Sequence, residues 1–107
     1  MFYYCSNLDS IEGVENWKVD KVEDMTGLFC RTKLSNLDLS NWKVENVQIM
    51  DSMFSNCQVS RLEGLQNWNT SNLYNIMYMF RNTNVTELDL SNWNLSKLNR
   101  SLYYLFY

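Results

Sequence analysis

Histidine, proline and alanine do not occur in these 107 residues, and glycine and cysteine occur three times each. Without His the chain lacks the side chain most used for proton transfer near neutral pH and for metal ligation. It has no Gly-rich phosphate loop, and no Ser or Cys stands beside a base that would activate it, so nucleophilic chemistry lacks its parts. Cys5, Cys30 and Cys57 make an odd count without zinc-ligand spacing, and they read as small buried hydrophobes at the corners of a repeat. The chain is therefore not expected to be an enzyme or to carry a cofactor or a metal. Also missing is any apolar run near the ~20 residues of a membrane span. The opening MFYYCSNLDS has neither the basic region nor the small-residue cleavage site of a signal peptide. As written the chain is expected in the cytoplasm, and at the cell surface if it is cut from a longer protein. Nine basic and twelve acidic residues leave a net charge of −3, which has no general attraction for phosphates, so direct nucleic acid binding is not expected.

What the chain has is repetition. Residues 34–54, LSNLDLSNWKVENVQIMDSMF, place Leu34, Leu37, Leu39 and Trp42 at the L-x-x-L-x-L spacing of a leucine-rich repeat, followed by a Trp. Val44, Val47, Met50, Met53 and Phe54 then recur every three or four residues, which is helical spacing. Trp17, Trp42, Trp68 and Trp93 repeat at intervals of 25, 26 and 25 residues, each after an Asn. Leu28-Phe29, Met53-Phe54 and Met79-Phe80 close the helical parts, with Met1-Phe2 and Leu105-Phe106 as outlying members. One such unit cannot bury its apolar edge alone and must stack on copies of itself. The expected fold is α/β: a leucine-rich-repeat-type solenoid of about four 25–26-residue strand–helix turns, forming one domain over 1–107. Asp20, Ser71 and Ser96 are the expected helix caps, with Asn46 taking over from Glu45 in the second turn.

Two rhythms alternate. Turns one and three read IEGVENW and LEGLQNW, whereas turns two and four read NLDLSNW and ELDLSNW. The extra residue is a Gly (Gly13, Gly64), and Gly within a strand pattern predicts a bulge. The four Trp side chains are expected to stack inside the molecule, one per turn. Met25, Met50, Met53, Met77 and Met79 read as core filler on the apolar stripe.

The strand face carries the candidate site. A residue between two inward apolar positions of a strand points away from the core. Those positions hold Asp38 and Asp89, with Glu12 and Glu63 as counterparts in the Gly-containing turns. Strands about 4.8 Å apart would align the four carboxylates in one ladder; Glu15 and Glu87 add to it and Arg61 interrupts it. Two readings stay open: Asp38 and Asp89 hydrogen-bond the neighbouring turns, or the ladder docks a protein partner with a basic surface. Catalysis by paired carboxylates is not expected, because an open ladder offers no pocket to raise one carboxyl pKa above the next. A Ca²⁺ site would lack the loop oxygens it needs. The aromatic ends MFYYC and SLYYLFY are not polar caps. Either they fold over the terminal turns, or two molecules pack end to end as a homodimer.

Residues 34–57, LSNLDLSNWKVENVQIMDSMFSNC, and 85–98, VTELDLSNWNLSKL, resemble the BspA-like leucine-rich repeat, with its L-D-L-S-x-W core and Met-Phe pair in register. Turn one departs from that pattern at Ile11 to Val14, turn three at Leu62 to Leu65, and turn four lacks the Met-Phe ending. The resemblance implies a right-handed curved solenoid of bacterial proteins that are often displayed at the surface and bind host or matrix proteins, with no catalytic residues to carry over. The expected function is a non-catalytic protein–protein recognition module acting through the exposed strand face. The alternative, from size and charge alone, is a small phage or mobile-element protein that inhibits a host defence factor, for example an anti-CRISPR protein acting on a CRISPR effector nuclease.

Overall fold

The computed structural model describes residues 12–98 and 104–106. Their regular elements are few: a 3-10 turn η1 (Val14–Asn16), strands β1 (Asn36–Asp38) and β2 (Arg61–Glu63), and a 3-10 turn η2 (Leu65–Asn67). β1 and β2 pair in parallel, with Asn36 opposite Arg61, Leu37 opposite Leu62 and Asp38 opposite Glu63. No α-helix occurs among the described residues. The expected solenoid of four strand–helix turns is therefore overturned: strand is confined to two three-residue segments, and the segments expected to be helical are runs of tight turns. The calls on Met1, Phe2, Cys5, Leu8, Ile11, Leu102, Tyr103 and Tyr107 lie outside the described residues.

Backbone hydrogen bonding gives the reason. Met53, Ser55 and Cys57 donate to the carbonyls three residues back, Met50, Ser52 and Phe54, at 3.0–3.2 Å. Between them Met50, Ser52, Phe54 and Asn56 donate outward to Asn75, Met77, Met79 and Arg81 at 2.7–2.9 Å. One repeat earlier, Met25, Gly27, Phe29 and Arg31 donate in the same way to Ile49, Asp51, Met53 and Ser55. Half of the amides that a helix would send four residues back are thus claimed by the next repeat. The chain can alternate because left-handed residues recur in three of the units, at Gly27 and Arg31, Ser52 and Asn56, and Tyr78 and Asn82, all with φ of 55–64°. A right-handed helix cannot contain them. Apolar spacing of three to four is satisfied equally well by successive turns, and Val44, Val47, Met50, Met53 and Phe54 are all essentially buried.

Two aromatic columns run through the stack. Trp17, Trp42, Trp68 and Trp93 lie ring over ring at centroid spacings of 6.2, 6.5 and 6.1 Å. Phe29, Phe54, Phe80 and Phe106 do the same at 5.7, 5.6 and 5.8 Å. Three indole N–H groups also reach back one repeat: Trp42 donates to Val14 O, Trp68 to Leu39 O and Trp93 to Leu65 O, at 2.8–3.0 Å. The same three carbonyls accept the backbone N–H of the Trp in their own repeat, Trp17, Trp42 and Trp68, so each uses both lone pairs. Met25, Met50, Met53 and Met79 fill the space around the columns and are buried, while Met77 is half-buried.

The expected caps act otherwise. With no helix to cap, the carbonyls of Asp20 and Glu45 accept from the side chains of Asn46 and Asn72, one repeat on, at 2.7 Å. The Ser71 and Ser96 amides donate to Asn69 and Asn94 side chains within their own turns. Nor do Gly13 and Gly64 form bulges. Each takes left-handed geometry (φ 75° and 95°) and opens η1 and η2 respectively, which absorb the extra residue. The alternation between turns is therefore a Gly-led 3-10 turn against an Asp-x-Ser turn.

The two glycines separate backbone strain from steric conflict. A Cβ at Gly13 would meet nothing within 4 Å, whereas one at Gly64 would lie 2.3 Å from the Ser40 backbone. Gly13→Ala is expected to cost about 1–2 kcal/mol, the left-handed penalty alone. Gly64→Ala adds overpacking of about 1–3 kcal/mol. Urea unfolding of both variants measures the difference; equal losses would disprove this account of Gly64.

Candidate functional site

The strand-side positions are exposed because each flanks a residue turned into the stack: Asp38 and Glu63 are open to solvent, while Leu37 between Asn36 and Asp38 is buried. Parallel register sets Asp38 directly beside Glu63. A groove over this face is lined by Asn36 of β1, by Arg61, Leu62 and Glu63 of β2, and by Glu87, Leu88 and Asp89 of the fourth repeat. Five of the seven expected residues, Asp38, Arg61, Glu63, Glu87 and Asp89, thus share one face. Glu15 does not join them; it sits on η1, in a separate hollow with Lys18, Asp20 and Lys43. Glu12 is exposed immediately before Gly13.

Asp38 and Asp89 also have a task within their own turns. Asp38 Oδ1 accepts from the Ser40 amide at 3.1 Å and the Ser40 hydroxyl at 2.7 Å. Asp89 Oδ1 does the same with Ser91, at 3.1 and 2.5 Å. Of the two readings left open by the sequence, a hydrogen-bonding role is thus present, directed at each residue's own turn rather than at a neighbouring one. These bonds, the Ser hydroxyl first and the amide second, hold both carboxyls below the usual carboxylate range. One oxygen of each carboxylate makes all of these bonds, so charge stays available at the surface.

Leu62 and Leu88, half-buried on the groove, are members of the site that the sequence pattern does not reveal. Their spacing matches that of Leu37, which is buried, and only the way the fourth repeat lies makes them different. Among the described residues no group of three or more His, Cys, Asp or Glu is gathered as for a metal ion. No helix there is long and apolar enough to cross a membrane.

Cys30 and Cys57 are free, buried thiols, both pushed up in pKa mainly by burial. Cys57 Sγ lies 3.1 Å from Thr32 Oγ1 and donates to Leu34 O at 3.6 Å.

Two predictions follow from this chemistry. A depressed native pKa stabilises the fold above the unfolded carboxyl value of about 3.9 and stops doing so as pH falls through the lower, folded value. Asp38→Asn should therefore melt below the parent protein at pH 7, and the gap should close in strong acid; a pH-independent gap would contradict the assignment. Secondly, mass-spectrometric mapping after iodoacetamide treatment should find Cys30 and Cys57 unmodified until denaturant is added, since reaction needs an accessible thiolate. Native labelling of either would show that its burial is wrong.

No curated protein and no solved structure matches the chain. A family model does, over residues 1–107, under the description "Mycoplasma protein of unknown function, DUF285". With every residue inside that match, the chain belongs to the DUF285 family.

Proposed function

We propose that this protein is a non-catalytic recognition module, akin to the BspA-like repeat proteins, that binds a protein partner with a basic surface through its acidic strand-side face. The observation that carries the reading is the parallel register placing Asp38 beside Glu63, with Glu87 and Asp89 on the adjoining groove. Charge of one sign on a shared face steers a complementary partner and fixes its orientation. The kinship rests on the LDLSNW core, present twice in register with the apolar pattern. A non-catalytic role accords with the chemistry: the carboxylates are exposed, and Asp38 and Asp89 are shifted downward, opposite to what a general acid at neutral pH requires.

The test is affinity capture with the tagged chain, from cell lysate and from a surface-protein fraction in parallel, using Asp38→Lys combined with Asp89→Lys as the control. The parent chain should retain a specific protein that elutes with moderate salt, because exposed charge pairs are screened. The double variant should lose it by about tenfold or more. A captured partner held equally well by both would place binding elsewhere on the molecule. Whether the partner comes from the lysate or the surface fraction separates an intracellular inhibitor from an adhesin-like module.

A further inference from the structure

The strand-side face carries two rows of exposed residues, and the rows differ in charge. Alternation about Leu37, Leu62 and Leu88, which pack on the core, puts Asn36, Arg61 and Glu87 before each Leu and Asp38, Glu63 and Asp89 after it. The register of β1 and β2 sets Asn36 beside Arg61 and Asp38 beside Glu63, and Glu87 and Asp89 border the same groove. Arg61 therefore does not interrupt the acidic ladder, as its order in the chain suggests. It stands in the other row, with neutral Asn36 before it and acidic Glu87 after it. Two features of this layout do not serve stability. Asp38 and Glu63 are cross-strand neighbours of like charge, which repel. Arg61, the one cation among the described residues lining the groove, is exposed, and its guanidinium makes no hydrogen bond or ion pair among the described residues.

We infer that the partner meets this face with a matching two-row layout: Lys or Arg side chains in a row against Asp38, Glu63 and Asp89, and one Asp or Glu beside the middle of that row, paired with Arg61. This deepens the preceding reading and rests on it. The row of carboxylates supplies attraction, but its members are alike, so a basic stripe shifted by one position fits it almost as well. Arg61 removes that ambiguity, because an acid on the partner pairs with it in one register only. A uniformly basic surface sets a cation against Arg61 and is rejected by repulsion, which makes Arg61 the specificity residue of the face. Between the rows, half-buried Leu62 and Leu88 form an apolar strip on which the aliphatic stems of the partner's Lys and Arg side chains lie.

The experiment titrates the whole chain, by calorimetry, with two helical peptides of the same composition. Helix residues three or four apart lie about 5–6 Å from each other, close to the strand spacing of about 4.8 Å, so three Lys at such positions match the acidic row. In the first peptide a Glu flanks the middle Lys; in the second the Glu is moved to the opposite face of the helix. The parent chain should bind the first about tenfold more tightly than the second. Arg61→Gln should abolish that preference without weakening the second peptide. Arg61→Glu combined with Glu63→Arg keeps the net charge at −3 but moves the cation into the acidic row. This variant should bind both peptides more weakly, although its urea midpoint should be no lower than the parent's, since the relocated guanidinium neighbours Asp38. Equal binding of the two peptides by the parent would overturn the role of Arg61 and leave the acidic-face reading intact. No binding of either at millimolar peptide would overturn the two-row match. If Asp38→Lys with Asp89→Lys left both affinities unchanged, the acidic-face reading itself would fall.

Discussion

Through residues 25–31 and 50–56 every second amide donates to the following repeat, while amides between them, Leu28 and Cys30, Met53 and Ser55, close turns on carbonyls three residues back. This alternation is the constraint on which the rest depends. Among the described residues it satisfies the backbone without α-helix and with two three-residue strands, while most of their large apolar side chains are still buried. An amide buried without a partner would cost on the order of 1–3 kcal/mol. Serving half of them locally and half across the stack locks one repeat to the next in a single register. Left-handed residues make the alternation geometrically attainable, and their recurrence before the hydrophobic pair and after the Phe explains why neither position needs an apolar side chain.

Given that register, the aromatic columns follow. Rings that repeat in sequence are brought face over face, and the Trp and Phe columns touch where Phe29 lies 6.0 Å from Trp42. The indoles contribute packing and, through the carbonyls of Val14, Leu39 and Leu65, a second set of bonds between repeats. Three of the four Trp residues are thereby explained by the interior: Trp42, Trp68 and Trp93 are nearly inaccessible and offer no ring face to a ligand, while Trp17 is half-buried. On the exterior, the strand-side face is distinguished by its carboxylates.

Asp38 and Asp89 act both within a turn and at the surface. Each closes its turn through a Ser two residues on and still presents charge outward. The Gly-containing turns solve the corner differently, with a left-handed Gly and a 3-10 turn, and so leave Glu63 without that duty. On the proposed reading structural and recognition roles interleave along the face, and charge reversal at Asp38 perturbs a turn as well as a surface, which is why the capture experiment reads partner loss and salt response together.

Much was legible in the chain itself. The spacing of Trp17, Trp42, Trp68 and Trp93 identified the stacking unit, and the outward positions of Asp38 and Glu63 followed from alternation about Leu37 and Leu62. The sequence could not say what lay between successive Trp residues. Val44, Val47, Met50 and Met53 fit a helix and a series of turns equally well, since both return a side chain to the core every three to four residues, and the choice rests on where each amide finds its acceptor. For Met50, Ser52, Phe54 and Asn56 that acceptor is in another repeat, some 25 residues away, so no local pattern reports it. Nor could the sequence distinguish Leu62 and Leu88 from the buried Leu37. Side-chain spacing alone determined which residues stack and which face outward; only the assembled stack decided that turns replace helices and that residues 86–89 make no ladder bond to β2, because both depend on hydrogen bonds made, or not made, between distant turns.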